Sequence, residues 1–437
     1  MSSPSELSLD QAPPISVPFR FFLTAPLFAL IAAAMLLWQG PDLFSSRWNP
    51  ALLGTTHLLT LGYMGLIMLG AILQMLPVVA GIPVQRPMLV AAVVHLSVTG
   101  GILLLCSGLV FSLPLALEIS MVALGAALLL FVILVIFTLR LAMPQNMTVQ
   151  AIRMAMLMLA ATVVLGLILL SNYVFGWWLQ DREMMANLHL TWGLLGWVGL
   201  LVVGVAYQVV PMFQLTPHYP TKITSWLAVL LFACLLGLAT TNHSPTIHWL
   251  FKAILAMGFA SFAITTLWLQ SKRRRKLPDV TLNFWRVGMG SLLLSIALWL
   301  MAQIVPSIMN MLDYELLLGI LMVVGFAMSV INGMLYKIVP FLVWFHLQSR
   351  RGGKGPKVPN VREILAESRA RLQMWLHFSA LCLLLASRIF TTTLIYPAAI
   401  LFGASNIMLW LNIMSATRTY YRENKFRQAT EIAMTPI

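Results

Sequence analysis

MVALGAALLLFVILVIFTL, residues 121–139, is a run of nineteen residues without one charged side chain. As a helix rising 1.5 Å per residue it measures about 28 Å, which matches the roughly 30 Å hydrocarbon core of a bilayer. Residues 154–170 and 287–305 are similar runs. The whole chain is 60% hydrophobic and 9% charged, whereas soluble domains carry about 25% charged residues. The sequence therefore predicts an all-α polytopic membrane protein.

Counting apolar segments predicts twelve transmembrane helices, connected by short polar stretches. They start near Arg20, Pro50, Pro87, Pro114, Arg153, Met185, Thr221, Ile247, Phe284, Glu315, Leu372 and Ile395. Residues 1–18 lack a basic start and a small-residue cleavage site, so we expect a cytoplasmic N-terminal segment and no cleaved signal peptide.

The formal net charge of +14 comes from basic residues in alternate connections and the C-terminal tail. These are Arg86, Arg140, Lys222, Lys272–Lys276, Arg350, Arg351, Lys354, Lys357, Arg362, Arg369, Arg371, Arg418, Arg422, Lys425 and Arg427. The other connections hold only Arg47, Arg182 and Arg388. By the positive-inside rule, both termini are predicted to be cytoplasmic, in a bacterial-type inner membrane. The basicity sets topology and indicates no nucleic-acid partner.

The helix starts and ends repeat along the chain. Arg20, Arg153 and Arg286 each open a predicted span, 133 residues apart. A Gly-x-x-x-polar-x-x-Pro ending recurs as Gly70/Gln74/Pro77, Gly204/Gln208/Pro211 and Gly333/Lys337/Pro340. We predict a membrane domain over residues 19–417, built from three parallel four-helix repeats near 19–140, 152–273 and 285–417. A basic cytoplasmic loop, 349–371, lengthens the third unit, and 418–437 form a cytoplasmic tail.

Two histidines occupy similar places in the second and sixth predicted spans. His57 lies about 10 Å along its helix and His189 at a comparable or slightly shallower depth, and an ionisable ring within a membrane is a functional candidate by default. Neutral imidazole ligates haem iron and copper, so we predict that these two residues bind a metal or cofactor. The alternative is that each ring packs against a neighbouring helix. The spacing to Gln74 and Gln208 differs by two residues, so the rings need not face the same way.

His95 and His377 form a second matched pair, on the third and eleventh spans. They are candidates for a second metal or for the lining of a path, and helix packing is an equally weighted alternative. Cys106, Cys234 and Cys382 fall inside spans, where a disulfide is not expected. The chain has no Cys-x-x-Cys-His motif, so any haem is expected to be non-covalent and b-type.

Twelve helices in three parallel units, with histidines on the second and sixth, resemble subunit I of the haem-copper oxidases. The chain more closely resembles the NnrS-like proteins of that superfamily, which are associated with denitrification and nitric-oxide stress. The resemblance covers Phe19 to about Thr417 and rests on Thr56-His57 leading to Pro77 and His189 leading to Pro211. It implies haem and/or copper, a role in nitric-oxide stress or respiratory redox metabolism, and redox partner proteins in the bilayer.

The departures from the oxidases concern their active-site ligands. The oxidases carry two haem-ligating histidines on the tenth helix, where this chain has Leu318-Gly319-Ile320. The copper motif of the sixth helix is replaced by His189-Leu-Thr-Trp-Gly, and residues 225–240 contain no histidine. Oxygen reduction is therefore not expected, while enzymatic activity of another kind stays open.

An alternative function follows from the polar residues near the helix ends. Gln74, Gln208 and Lys337 occupy equivalent positions of the three units. A ring of these side chains around a central axis predicts a polar constriction, as in a transporter or permease.

Overall fold

Proline and asparagine residues start many of the helices in the computed structural model. Four spans begin at a proline, Pro50, Pro87, Pro114 and Pro245. The first turn of a helix tolerates proline because its missing N–H would have no intrahelical partner there. The Asn49 side chain additionally accepts a hydrogen bond from the backbone N–H of Ala51 and caps the second span.

The structure describes residues 12–434 except 82, 142–145, 275, 276, 278, 312 and 350–357. This part of the chain is helical, has no strand, and contains twelve helices long and apolar enough to cross a membrane. They are α1 (Ser16–Phe44), α2 (Pro50–Pro77), α3 (Pro87–Phe111), α4 (Pro114–Arg140), α5 (Met147–Phe175), α6 (Arg182–Gln214), α7 (Thr221–Thr240), α8 (Pro245–Ser271), α9 (Val280–Ile304), α10 (Tyr314–Ser349), α11 (Glu367–Ile389) and α12 (Thr392–Lys425). Each begins within two helical turns of its predicted start, so the twelve spans are confirmed.

Three spans form the centre of the bundle. Of the 18 most apolar consecutive residues in α2, α6 and α10, 78%, 72% and 78% are buried, against at most 50% in any other span. We call α2, α6 and α10 the inner spans. The other nine helices surround them and present apolar side chains outward, as a protein in a bilayer requires.

Each inner span changes from α-helix to π-helix for eight residues. The π segments are Leu58–Gly65, Trp192–Gly199 and Leu321–Met328. Their fifth residues are Gly62, Gly196 and Gly325, which lie against the preceding span, at Phe28 of α1, Met158 of α5 and Ser291 of α9 respectively. A side chain at these positions would collide with the neighbouring helix, so glycine allows the close approach.

A second glycine, eight residues later in each inner span, also lies against the preceding span. Gly70, Gly204 and Gly333 lie against Phe21, Ala151 and Phe284. Arg153 and Arg286 each follow the residue that contacts this second glycine, Ala151 or Phe284, by two positions. Arg20 instead directly precedes its counterpart, Phe21. The equal 133-residue spacing of the three arginines therefore does not describe the packing of α1, which is shifted by about one turn.

The predicted terminal and loop segments are described only in part. Residues 1–11 of the N-terminal segment, 350–357 of the basic loop and 435–437 of the tail lie outside the described residues. Asn360 and Glu363 form a capping box on the short helix Val361–Ile364, which ends before α11 starts. The helix that contains α12 continues to Met434, so the described part of the predicted tail is helical.

Candidate metal site at His57 and His189

The structure brings the rings of His57 and His189 close together. Each is the eighth residue of its span, counted from Pro50 and from Arg182, which places both at about 10 Å depth. The two ring centroids are 6.1 Å apart and the ring planes are inclined by 34°. Sequence spacing alone left the relative direction of the rings open.

The position of each histidine relative to its π segment explains how the rings meet. His57 directly precedes its π segment, whereas His189 lies three residues before its own. In this register the residue that corresponds to His57 is Thr191. The two-residue difference rotates His189 by about 200° around its helix axis. Because the two spans face each other, that rotation lets a ring on α6 point back toward α2.

Backbone carbonyls fix the protonation pattern of both rings. The Nδ1 atom of His57 lies 2.8 Å from the carbonyl oxygen of Leu53, and Nδ1 of His189 lies 2.9 Å from that of Thr162. A carbonyl oxygen only accepts hydrogen bonds, so each Nδ1 carries the hydrogen and donates. In the neutral ring, Nε2 then keeps a free lone pair, which is the form that ligates a metal.

Gly166 of α5 provides the space for the His189 ring. A Cβ atom at this position would lie 2.9 Å from Cε1, 3.4 Å from Nδ1 and 3.9 Å from Nε2 of His189. Gly166 is one turn after Thr162, so one face of α5 supplies both the carbonyl and the clearance. Sequence reasoning missed Gly166, because its relation to His189 depends on which face of α5 turns toward α6.

The threonines near the two histidines bond within their own helices and do not orient the rings. The Thr60 hydroxyl donates to the carbonyl of Thr56, and the Thr191 hydroxyl donates to that of Asn187. The rings are oriented by main-chain atoms, which leave no signature in the sequence.

An arginine joins the beginnings of the three inner spans near this site. Arg47, in the connection before α2, donates to Glu315 of α10 at 2.8 Å and to Asn187 of α6 at 2.6 Å. Asn187 precedes His189 by two residues. Sequence reasoning used Arg47 only for topology, although it is one of few cations on this face.

His95 and His377 occupy separate positions, each beside a phenylalanine. The His95 ring lies edge-on to Phe21, and the His377 ring lies 5.7 Å from Phe284. His377 is fully buried, with Nε2 3.0 Å from the Ser329 hydroxyl. No hydrogen-bond partner of its Nδ1 is found among the described residues.

The partner of His95 is a hydroxyl as well. Its Nε2 lies 2.9 Å from the Thr24 hydroxyl, which itself donates to the carbonyl of Arg20. A hydroxyl has one hydrogen, so His95 donates to Thr24. These contacts are those of packing histidines, and the second metal stays a prediction.

The three residues of the predicted polar constriction do not share an environment. The Lys337 ammonium lies 2.7 Å from a carboxylate oxygen of Asp279, at the start of α9. Gln74 is buried, and its Oε1 has no hydrogen-bond partner within the described part of the chain. A cavity of about 90 Å³ lies between α2, α6 and α10, and its wall does not include Gln74, Gln208 or Lys337. This arrangement does not favour the transporter alternative.

Comparison with family models finds no match for this chain, and no curated protein matches it. Within the described residues, no group of three or more His, Cys, Asp or Glu side chains is placed to hold a metal ion. The candidate site therefore consists of the pair His57 and His189.

Proposed function

We propose that this membrane protein binds haem iron or copper between the Nε2 atoms of His57 and His189. The observation that carries the proposal is the facing pair of rings with both Nδ1 atoms bonded to carbonyls. The two ring centroids lie 6.1 Å apart, so His57 and His189 would hold one metal ion together, each through its Nε2 atom.

The donor chemistry fits these two metal forms. Two neutral imidazoles satisfy a haem iron, because the porphyrin supplies its other ligands, or a two-coordinate copper ion. A zinc site normally takes four ligands, more than the two that this pair provides. When bound here, either metal would supply one-electron redox chemistry.

The chain's own residues hold the ligands ready. The carbonyls of Leu53 and Thr162 keep each ring in the tautomer whose Nε2 is free, and Gly166 leaves room for the His189 ring. Outer partners of this kind fix ring direction and raise ligand basicity. The rings are thus arranged before a metal arrives, which reduces the ordering cost of binding.

We further propose that the fold is a threefold parallel repeat of the haem-copper oxidase subunit I type. The three π segments have equal lengths, and the Gly, Gln/Lys and Pro positions follow each segment at equal spacing. In this register Leu318 and Ile320 stand where the third unit would carry a histidine. The resemblance to the NnrS-like proteins then supports a role in nitric-oxide stress or respiratory redox metabolism, distinct from oxygen reduction.

The proposal includes an orientation in the membrane. By the positive-inside rule, the distribution of Lys and Arg supports a cytoplasmic N-terminus, 349–371 loop and C-terminal tail, in a bacterial-type inner membrane. His57 and His189 then lie near the outer surface, within reach of redox partners on that side.

The test is to purify the protein after haem- and copper-replete expression, and to measure its optical spectrum, pyridine haemochrome and metal content. His57→Ala and His189→Ala are each expected to lose most of the bound metal. His218→Ala is the matched control, because His218 is exposed in the connection between α6 and α7. A metal-free wild-type protein, or full metal content in both site variants, would refute the proposal.

A further inference from the structure

A cavity of about 90 Å³ lies where the three inner spans meet. It is separate from the histidine pair, since its upper wall at Ile67 lies ten residues, or about 15 Å, further along α2 than His57. Phe22 of α1, Ile152 of α5 and Trp285 of α9 complete the wall. Each of these three outer helices thus contributes one side chain.

Corresponding positions of the inner spans form the wall in levels. One level consists of Met68, Val202 and Ile331, and a second of Met75, Val209 and Ile338. Members of a level follow their π segments by the same number of residues. The cavity is therefore a feature of how three similar helices meet, with side chains too small or too flexible to fill the centre.

The chemistry of the wall excludes water. Every lining side chain is apolar apart from the indole N–H of Trp285, which has no partner among the described residues. The helix backbones satisfy their own polar groups. A buried water needs two to four polar partners, and this wall offers at most one. Apolar cavities of comparable size stay dry and take up xenon.

We propose that this cavity is a binding site for a small apolar gas molecule, of the class that includes nitric oxide, dioxygen and xenon. The volume admits such a molecule and is too small for a lipid chain or a porphyrin. Apolar gases dissolve in the hydrocarbon core of the bilayer, so they reach the cavity without crossing a polar barrier. The site depends on side-chain shape alone and does not require a metal at His57.

Xenon is the probe for this site, measured by ¹²⁹Xe NMR of the purified full chain. The wild-type protein is expected to show saturable binding of xenon. Val205→Phe fills the cavity from its α6 wall and is expected to abolish this binding. The matched control is Val93→Phe, the same substitution at a 53% exposed position of α3, which should bind xenon normally.

A third variant keeps the test decisive if Val205→Phe fails to fold. Met75→Ala enlarges the cavity and should increase xenon uptake. Absence of saturable binding in the wild type, or equal binding in Val205→Phe and Val93→Phe, overturns the proposal. Xenon binding that persists in His57→Ala separates this site from the metal site, so each can fail without the other.

Discussion

Substitution Gly166→Ala tests whether the clearance beneath His189 matters for metal binding. The new Cβ would lie 2.9 Å from Cε1 of His189, while carbon atoms in ordinary contact are about 3.5–4.0 Å apart. The ring must therefore retreat by about 0.6–1 Å. Because Nδ1 is already 2.9 Å from the Thr162 carbonyl, a retreat of this size stretches that hydrogen bond and changes the direction in which Nε2 points.

The expected magnitude follows from the role of that hydrogen bond. Loss of an outer partner of a metal-ligating histidine typically lowers metal affinity about 10- to 100-fold. This corresponds to about 1.4–2.8 kcal/mol of binding free energy. Unfolding stability should not fall in parallel, because alanine within a helix is favoured over glycine by about 0.5–1 kcal/mol.

The assay is a titration of the metal-depleted protein with haem or copper, followed by the optical spectrum. Gly290→Ala is the matched control, since a Cβ at Gly290 of α9 meets no atom within 4 Å. The control should keep wild-type affinity, and Gly166→Ala should lose about one to two orders of magnitude. Equal affinity in the two variants would show that the His189 ring is not held as proposed.

Three further substitutions test contacts that do not involve the metal. Lys337→Gln gives the third unit the glutamine of the other two and removes the ion pair with Asp279. The free energy of unfolding should fall by about 1.5–3 kcal/mol, and an unchanged thermal midpoint in detergent would contradict this. Ser329→Ala leaves the buried His377 ring without its hydroxyl partner and should lower the unfolding free energy by about 1–3 kcal/mol. The metal spectrum should stay unaltered, and its loss would instead connect His377 to the metal site. Gly62→Ala places a Cβ 2.6 Å from the Phe28 ring of α1, so the free energy of unfolding should fall by about 1–3 kcal/mol in a thermal melt. Wild-type stability would show that α1 can move away.

Local features of the sequence predicted most of the fold. Long uncharged runs such as 121–139 must become spanning helices, because a bilayer leaves an unpaired backbone no other partner. Prolines at helix starts and the paired glycines of the inner spans also act over a few residues. These signals placed all twelve spans, and the 133-residue spacing of the arginines was accurate only for α5 and α9.

The candidate site was predictable in identity and not in geometry. His57 and His189 stand out because ionisable rings are rare within spans. Their facing arrangement depends on a two-residue shift relative to the π segments, and no local pattern in the sequence marks where an α-helix widens. Asp279, the partner of Lys337, is 58 residues away, so only helix packing could pair them.

The sequence by itself determined that the chain has twelve helices long and apolar enough to cross a bilayer and carries two histidine rings on similar helices, since hydropathy and residue type are local properties. The tertiary structure decided that these rings meet, that Gly166 makes room for one of them, and that an apolar cavity remains between the inner spans. Each of these depends on the rotation of one helix about its axis relative to another. That rotation is set by packing among side chains distant in sequence, which is why it became visible only in the folded chain.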